Sequence, residues 1–404
     1  MGVVVLILIF WGINQLLFGA YKKKHSFFDK KKMNLLYLYH LLFFFIFLWY
    51  SYNNPADSNR YFEDVENFQG SWFELFGTDT RFVNFVSYPF YTLGFSYEML
   101  MLTFAWFGFL GFLYAYMFMR EKIPINIAVF KKVDLLTLIL FFPNMHFWTA
   151  ALGKDSIIFM GLMMFTYAII NPISRIFLLV LSSLIIFYIR PHVFMFVAVG
   201  AIIGYLSGKE KIAFWKKASI SIAMVVALIF VMEDVLNVMG LGESENFVED
   251  FQSESGERSK SLSTSGSGVD MSNYPLPFKF FTFWFRPLFI DAPNVLGIIT
   301  SFENLIYLFL FMKIIRKDFI RFIKNSPSLI KMSFVIFLLS SFALTFVMSN
   351  LGIIMRQKSM VMYFIFFVIY YYLAQKKYKH LLKRKRLEEI KEQTIATNHS
   401  LNPY

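Results

Sequence analysis

Long hydrophobic runs, separated by short polar segments, dominate this sequence. A helix of about 17 to 25 apolar residues is long enough to cross the hydrocarbon core of a membrane. The runs therefore predict an all-α polytopic integral membrane protein with about eleven transmembrane helices. The predicted spans are 2–20, 35–51, 95–119, 135–151, 156–171, 174–190, 192–208, 218–237, 293–312, 332–349 and 359–374.

Lysine and arginine are unevenly distributed between the two sets of loops. Counting alternately from an external N-terminus puts about three-quarters of them on the cytoplasmic side, as the positive-inside rule requires. We therefore expect the N-terminus outside and the C-terminus in the cytoplasm. The first run should stay as a helix rather than act as a cleaved signal, because Lys22, Lys23 and Lys24 follow its apolar part.

This orientation divides the chain into a transmembrane bundle, 1–374, and a basic cytoplasmic tail, 375–404. Two long loops, 52–93 and 240–292, are then external. The first loop is acidic and aromatic, which predicts short helices at the membrane surface. The second begins with an acidic, serine-rich stretch, 242–268, whose low hydrophobicity predicts mobility, and it ends in an apolar segment.

Composition removes several classes of function. The net charge of +12 is explained by lysines that face anionic lipid, so membrane lipid is an expected partner and nucleic acid is not. Because cysteine is absent, disulfides, thiol catalysis and cysteine metal sites are excluded. The 6 histidines show no HExxH or other paired spacing, which argues against zinc.

Four cations lie near the ends of apolar spans on the outer face, where the positive-inside rule disfavours them: Lys154, Arg190, Arg286 and Arg356. Charges at such positions usually face a cavity or a partner. They could form a pocket for an anionic ligand, pair with nearby carboxylates, or reach lipid phosphates.

Proline or glycine stands beside three of these arginines, as Pro191, Pro287 and Gly352. These residues predict interrupted helices, which membranes tolerate where the freed backbone lines a cavity or is buried in protein. The segment FPNMHFWTAALGKDS repeats the pattern, since Pro143 should interrupt the fourth span. It would bring Trp148, Lys154 and Asp155 to one wall of a binding site.

Three residues compete for the role of catalytic base: Glu303, Asp155 and His192. Glu303 stands about three turns inside a predicted span, so it should pair with an arginine or act as a general acid or base. Asp155 could orient Lys154 or pair elsewhere. His192 follows Arg190 and Pro191 and adds a titratable group there.

The chain resembles, over most of its length, bacterial repeat-unit polysaccharide polymerases of the Wzy and EpsG-like type. The resemblance lies in the layout of spans and in a few short patterns. These patterns are an early external Asp57 and Tyr61, the series Pro143, Trp148 and Lys154, an external Arg-Pro, the spacing from Arg286 to Gly297, and a late Asn350, Gly352 and Arg356.

The resemblance implies a GT-C-like bundle in the bacterial inner membrane that joins glycan repeat units at its outer face. The growing glycan would move from undecaprenyl diphosphate onto a lipid-linked repeat unit, without a metal or another cofactor. A chain-length regulator would be a candidate protein partner. The residues expected to bind substrate are Arg190, Arg286, Arg356, Lys154, Asp57, Arg60, Tyr61 and Trp148.

Other functions remain open from the sequence. Adjacent Glu63 and Asp64 could serve as the early carboxylate pair of a different lipid-linked-sugar glycosyltransferase. An O-antigen ligase is another enzymatic alternative. A flippase or another transporter is a non-enzymatic alternative, although transporters tend to carry internal repeats, and the unexplained charges here gather at one face.

Overall fold

The computed structural model describes residues 1–130, 132–210, 213–238, 256–257, 259–264, 267–271 and 273–401. Most of the predicted mobile stretch at 242–268 lies outside these residues. The described chain is almost entirely helical. Its paired strands, Ala128–Val129 and Val133–Asp134, form one small antiparallel hairpin with Ala128 opposite Asp134.

The helices are numbered in chain order. They are α1 (Gly2–Lys24), α2 (Lys30–Asn53), α3 (Asp57–Glu66), α4 (Thr80–Thr92), α5 (Tyr97–Lys122), α6 (Leu135–Leu140), α7 (Pro143–Thr149), α8 (Lys154–Ala168), α9 (Ile176–Ile189), α10 (Pro191–Ser207), α11 (Phe214–Val238), α12 (Leu276–Phe285), α13 (Val295–Met312), α14 (Lys317–Lys324), α15 (Ser328–Val347) and α16 (Leu351–Leu401). Two short 3-10 helices, Trp72–Leu75 and Phe289–Asp291, precede α4 and α13.

Six helices of the described chain are long and apolar enough to cross a membrane: α1, α2, α5, α13, α15 and Leu351–Glu389 of α16. The protein is therefore an all-α, multi-pass membrane protein. The predicted count of eleven spans is not confirmed. Several of the other predicted spans are helices of 10–17 residues, namely Leu135–Thr149, Ile176–Ile189, Pro191–Ser207 and Lys217–Phe230.

Proline explains two of these shorter helices. The predicted span 135–151 is divided into α6 and α7, because Pro143 has no N–H for a preceding turn and instead takes the first position of α7. Pro191 likewise begins α10 directly after α9. The interruptions expected at these two prolines are confirmed.

The short helix α7 lies at the centre of the bundle, in contact with α2, α5, α8, α13 and α16. Around it, α5 packs along α8, and α10 packs along α15. Gly108 of α5 permits the close approach to α7, since a Cβ atom there would collide with the carbonyl oxygen of Thr149. Side chains on α7 can therefore meet residues from distant parts of the sequence.

Candidate functional site

Asp155 joins two of the predicted arginines at the start of α8. One carboxylate oxygen accepts a hydrogen bond from Arg190 Nη2 at 2.9 Å, and the other accepts from Arg356 Nε. Arg190 also donates to the side-chain oxygen of Gln357. Asp155 is only 3% exposed, so the charged groups hold each other in place away from water. Asp57, Asp155, Arg190, Arg356 and Gln357 are called the aspartate–arginine cluster below.

Helix ends explain why these residues meet. Arg190 is the residue between α9 and α10, with an extended backbone that neither helix continues. Asp155 is in the first turn of α8, and Arg356 is in the second turn of α16. An acidic residue is favoured at a helix N-terminus, where backbone N–H groups leave a partial positive charge. The interrupted helices therefore deliver their charges to one place.

Asp57 closes the cluster on its exposed side. Arg356 Nη1 donates to Asp57 at 2.7 Å, and Arg60 lies 3.9 Å from the same carboxylate. Burial alone would raise the pKa of Asp57, but the hydrogen bond and charge of Arg356, helped by Arg60 and Lys154, hold that pKa below its usual value. The Asp57 side chain is 47% exposed, which makes it the most accessible carboxylate of the cluster.

Lys154 pairs with Asp79 and not with its neighbour Asp155. The distance from Lys154 Nζ to the Asp79 carboxylate is 2.5 Å, and the Asp79 backbone N–H donates to the carbonyl oxygen of Tyr188. Burial of Asp79 acts to raise its pKa, and the hydrogen bond and charge of Lys154 outweigh that effect and lower it. Of the two possibilities for Asp155, orienting Lys154 is therefore wrong and pairing elsewhere is confirmed.

A cavity of about 210 Å³ opens beside the aspartate–arginine cluster. Asp57, Asp155 and Arg356 form its charged wall, and Phe47, Tyr50 and Trp148 form an aromatic wall. The guanidinium of Arg356 lies 5.7 Å from the centre of the Trp148 ring, within the range of a cation–π contact. The cavity can accept a small polar group with a flat apolar face.

Gly153 shapes the floor of this cavity. Its φ of +158° is one that residues with a side chain rarely adopt, and a Cβ there would lie 3.1 Å from the Tyr61 ring. Tyr61 is 1% exposed and packs beneath the cavity rather than lining it. Arg60, stacked over the Tyr61 ring, stays largely exposed.

A second group of polar side chains lies deeper in the protein. We call it the glutamate cluster, and its members are Asn144, Glu303, Asn304, Tyr307 and Lys358. Glu303 accepts hydrogen bonds from the backbone N–H of Asn144 at 3.0 Å and from the Tyr307 hydroxyl. These partners replace the arginine that the sequence offered as one explanation of this buried carboxylate. Lys358 donates to the Arg286 carbonyl oxygen at 2.6 Å and to Asn304 Oδ1 at 2.7 Å.

Asn144 and Trp148 of α7 connect the two clusters. The Asn144 amide donates to the Ser359 hydroxyl at 2.5 Å and to the Met355 carbonyl oxygen at 2.7 Å. Trp148 Nε1 donates back to Asn144 Oδ1 at 3.2 Å, while its ring lies under Arg356. A continuous polar path thus runs from the cavity to Glu303.

The remaining predicted residues are not in the cavity wall. The Arg286 side chain pairs with Asp291, and its carbonyl oxygen belongs to the glutamate cluster. His192 is half-buried in the first turn of α10, with its ring 6.3 Å from that of Phe196. The structure therefore brings Asp57, Asp155, Arg190 and Arg356 together, whereas Arg286, Glu303 and His192 do not line the cavity.

Sequence reasoning missed Asp79, Asn144, Gln357 and Lys358. One sequence feature pointed to Lys358 as a site residue: it follows Arg356 by two residues, at the start of a long apolar run. The described residues include no group of three or more histidines, aspartates or glutamates that could hold a metal ion. No protein-family model, curated protein or solved structure matches this chain.

Proposed function

We propose that the protein is a membrane glycosyltransferase that polymerises undecaprenyl-diphosphate-linked oligosaccharide repeat units for a bacterial surface polysaccharide. In this proposal the chain crosses the inner membrane about eleven times, with its N-terminus outside and its C-terminus in the cytoplasm. The observation that carries the proposal is the meeting of Arg190 and Arg356 on Asp155, beside an aromatic-walled cavity.

Arginine suits the leaving group of this reaction. Its planar guanidinium can bind two phosphate oxygens at once, and it can stabilise the negative charge that develops on a departing diphosphate. Aromatic rings such as Tyr50 and Trp148 can pack on the flat apolar face of a sugar. A cavity of about 210 Å³ holds one diphosphate or one sugar ring rather than a whole repeat unit, so the rest of the substrate would extend out of it.

The charges around the cavity are nearly balanced, and this limits how substrate can bind. Four cations face three carboxylates, which leaves one excess positive charge: Arg60, Lys154, Arg190 and Arg356 against Asp57, Asp79 and Asp155. A diphosphate ester carries more negative charge than this excess. Asp57 is half-exposed, and its ion-pair partners are Arg356 and Arg60. We therefore expect the substrate phosphates to displace the Asp57 carboxylate from Arg356.

Two of the three candidate bases differ clearly in position. Asp155 lies in the cavity wall, so an acceptor hydroxyl in the cavity could reach it directly. Glu303 lies behind Asn144 and could act only through the polar path along α7. This placement favours Asp155 over Glu303, provided that substrate binding draws Arg356 away from the Asp155 oxygen that it now occupies, and His192 is outside the cavity wall.

An assay of purified full-length protein with its native lipid-linked repeat units tests the proposal. Wild type should produce a ladder of glycan lengths on a gel. Arg356→Ala should lower the rate by roughly 10²–10³-fold, the range seen when a donor to a developing oxyanion is removed. Arg356→Lys keeps the charge but loses the two-pronged contact, so it should restore only part of the rate.

Arg81→Ala is the matched control, because Arg81 is also on the predicted outer face but donates to the backbone carbonyl of Glu74 outside the cavity. It should keep the ladder. A folded Arg356→Ala variant with wild-type rate would refute the role of the cluster. Transfer to a different acceptor would indicate a ligase, and movement of the lipid-linked glycan across vesicles without transfer would indicate a flippase.

A further inference from the structure

Two histidines from distant parts of the chain meet inside the bundle. His40 of α2 is 1% exposed and His146 of α7 is fully buried. Their Nδ1 atoms are 2.9 Å apart, which is a hydrogen-bond distance. His40 Nε2 lies 2.9 Å from the carbonyl oxygen of Ala105, and His146 Nε2 lies 2.8 Å from the carbonyl oxygen of Leu140.

These three contacts determine how many protons the pair holds. A carbonyl oxygen can only accept a hydrogen bond, so each Nε2 must carry a proton. The contact between the two Nδ1 atoms needs one more proton, on one ring or the other. Two neutral imidazoles carry two ring protons in total, whereas this geometry uses three. The pair therefore needs one proton more than two neutral rings supply.

We propose that His40 and His146 form a proton-binding site, in which one proton is shared between their Nδ1 atoms and the pair carries a single positive charge near neutral pH. One ring is then an imidazolium, and the other is the neutral tautomer protonated at Nε2. Neither histidine lines the cavity, so the evidence for this site does not rest on the proposed transferase reaction.

The surroundings offset part of the cost of burying this charge. The His146 ring is stacked on Phe112, with the ring centres 3.8 Å apart and the planes 2° from parallel. A cation over the face of an aromatic ring is attracted to it. The Tyr39 ring stands at 80° to His146, 4.8 Å away. Hydrogen bonds that involve a charged donor are also stronger than neutral ones.

On the helices around the histidine pair, the nearest titratable groups are Tyr39, Tyr363 and the members of the glutamate cluster. Tyr39 of α2 donates to the Phe141 carbonyl oxygen, and Tyr363 of α16 packs on Phe112 and donates to the Ile139 carbonyl oxygen. From α13, Glu303 accepts from the backbone of Asn144, two residues before His146. Lys358 of α16 is the cation of that cluster.

The shared proton also fixes α7. It joins α7 to α2 and, through Ala105, to α5. If the proton leaves, the Nδ1 atoms either face each other with two lone pairs or one Nε2 faces a carbonyl oxygen without a proton. Either arrangement is repulsive and should move α7, which carries Asn144 and Trp148.

The experiment is nitrogen NMR of full-length protein, labelled with ¹⁵N-histidine, in lipid nanodiscs. Near pH 7, one buried ring should show both nitrogens protonated and the other only Nε2, with a coupling across the N–H···N bond. As the pH is raised, the ¹⁵N signals of the two buried rings should change together, at one shared pH. His146→Phe assigns the signals of the pair, and His380→Ala identifies the signal of the exposed tail histidine.

Two neutral rings near pH 7, or two rings that titrate separately, would overturn the proposal. Wild-type protein alone decides this, so a variant that fails to fold does not leave the question open.

The thermal midpoint of unfolding gives a second readout. If the folded pair still holds its proton at a pH where the unfolded histidines, with a value of about 6.5, have released theirs, the stabilisation is lost as the pH rises above that value and the wild-type midpoint should fall. His146→Phe should abolish that decline, and His380→Ala should keep it; an unchanged decline in His146→Phe also contradicts the proposal.

Discussion

The aspartate–arginine cluster and the glutamate cluster contain Arg356 and Lys358, which lie two residues apart on α16. The two cations are stabilised in different ways. In the first, Arg356 pairs with the carboxylates of Asp57 and Asp155, and Asp57 is 47% exposed beside a cavity. In the second, Lys358 is fully buried and is held by a backbone carbonyl and an amide oxygen. Charges paired with other mobile side chains can exchange partners with a ligand, whereas charges held by fixed dipoles cannot do so easily.

The largest stability effect is expected from Asp155→Asn, which breaks the first cluster at its centre. The amide has nearly the same shape, but it leaves Arg190 buried without its carboxylate and removes the partner of Arg356 Nε. Loss of one member of a buried ion pair typically costs roughly 3–5 kcal/mol, because the remaining charge is uncompensated. A large fall in the thermal midpoint of the purified protein should be measured.

Asp318→Asn is the matched control for that variant. Asp318 also forms ion pairs with two cations, Lys376 and Arg316, but on an exposed surface. Ion pairs in water contribute little to stability, so its midpoint should remain close to wild type. Equal losses in the two variants would show that burial of the aspartate–arginine cluster has no special importance.

The next effect in size is expected from Lys358→Met in the glutamate cluster. Methionine fills a similar volume, but the Arg286 carbonyl oxygen and Asn304 Oδ1 lose their donor. A buried acceptor without a partner costs about 1–3 kcal/mol. Removing a buried charge offsets part of this cost, so the loss should be smaller than for Asp155→Asn.

Lys331→Met is the corresponding lysine control, since Lys331 donates to the carbonyl oxygen of Ser207 at a more exposed position. It should change the midpoint less than Lys358→Met does. A rise in stability on Lys358→Met would mean that burying the ammonium costs more than its two hydrogen bonds return. The two clusters would then differ in the cost of burying their charges, and not in whether the partners of those charges are fixed.

The sequence predicted the class of fold and the places where helices break. Apolar runs and their length are local properties, so an all-α membrane protein could be inferred directly. Pro143 and Pro191 also act locally, because proline cannot continue a helix whatever surrounds it. The number of spans was less predictable, since an apolar run such as 174–190 does not reveal whether its helix is long enough to cross.

The partners of charged side chains could not be predicted in the same way. Asp155 and Arg356 are 201 residues apart, and Asn144 and Glu303 are 159 apart. Which charges meet depends on the packing of several helices, and sequence spacing carries no information about it. Lys154 illustrates this, because its neighbour Asp155 was available and the structure pairs it with Asp79 instead.

The smallest effect is expected from Asp79→Asn, and it should be clearest in the pH dependence of stability. Because Lys154 lowers the pKa of Asp79 below its unfolded value of about 3.9, the pair stabilises the fold above that pH and the contribution is lost as the pH falls through the folded pKa. Asp79 is half-exposed, so solvent limits the contribution to about 0.2–1 kcal/mol. Thermal midpoints measured downward from neutral pH should therefore fall less steeply in Asp79→Asn than in wild type, while Glu66→Gln, at an exposed carboxylate of α3, should follow the wild-type curve. If Asp79→Asn keeps the full acid-dependent loss, the Lys154 pair does not stabilise the start of α8, and the aspartate–arginine cluster must hold α8 there without it.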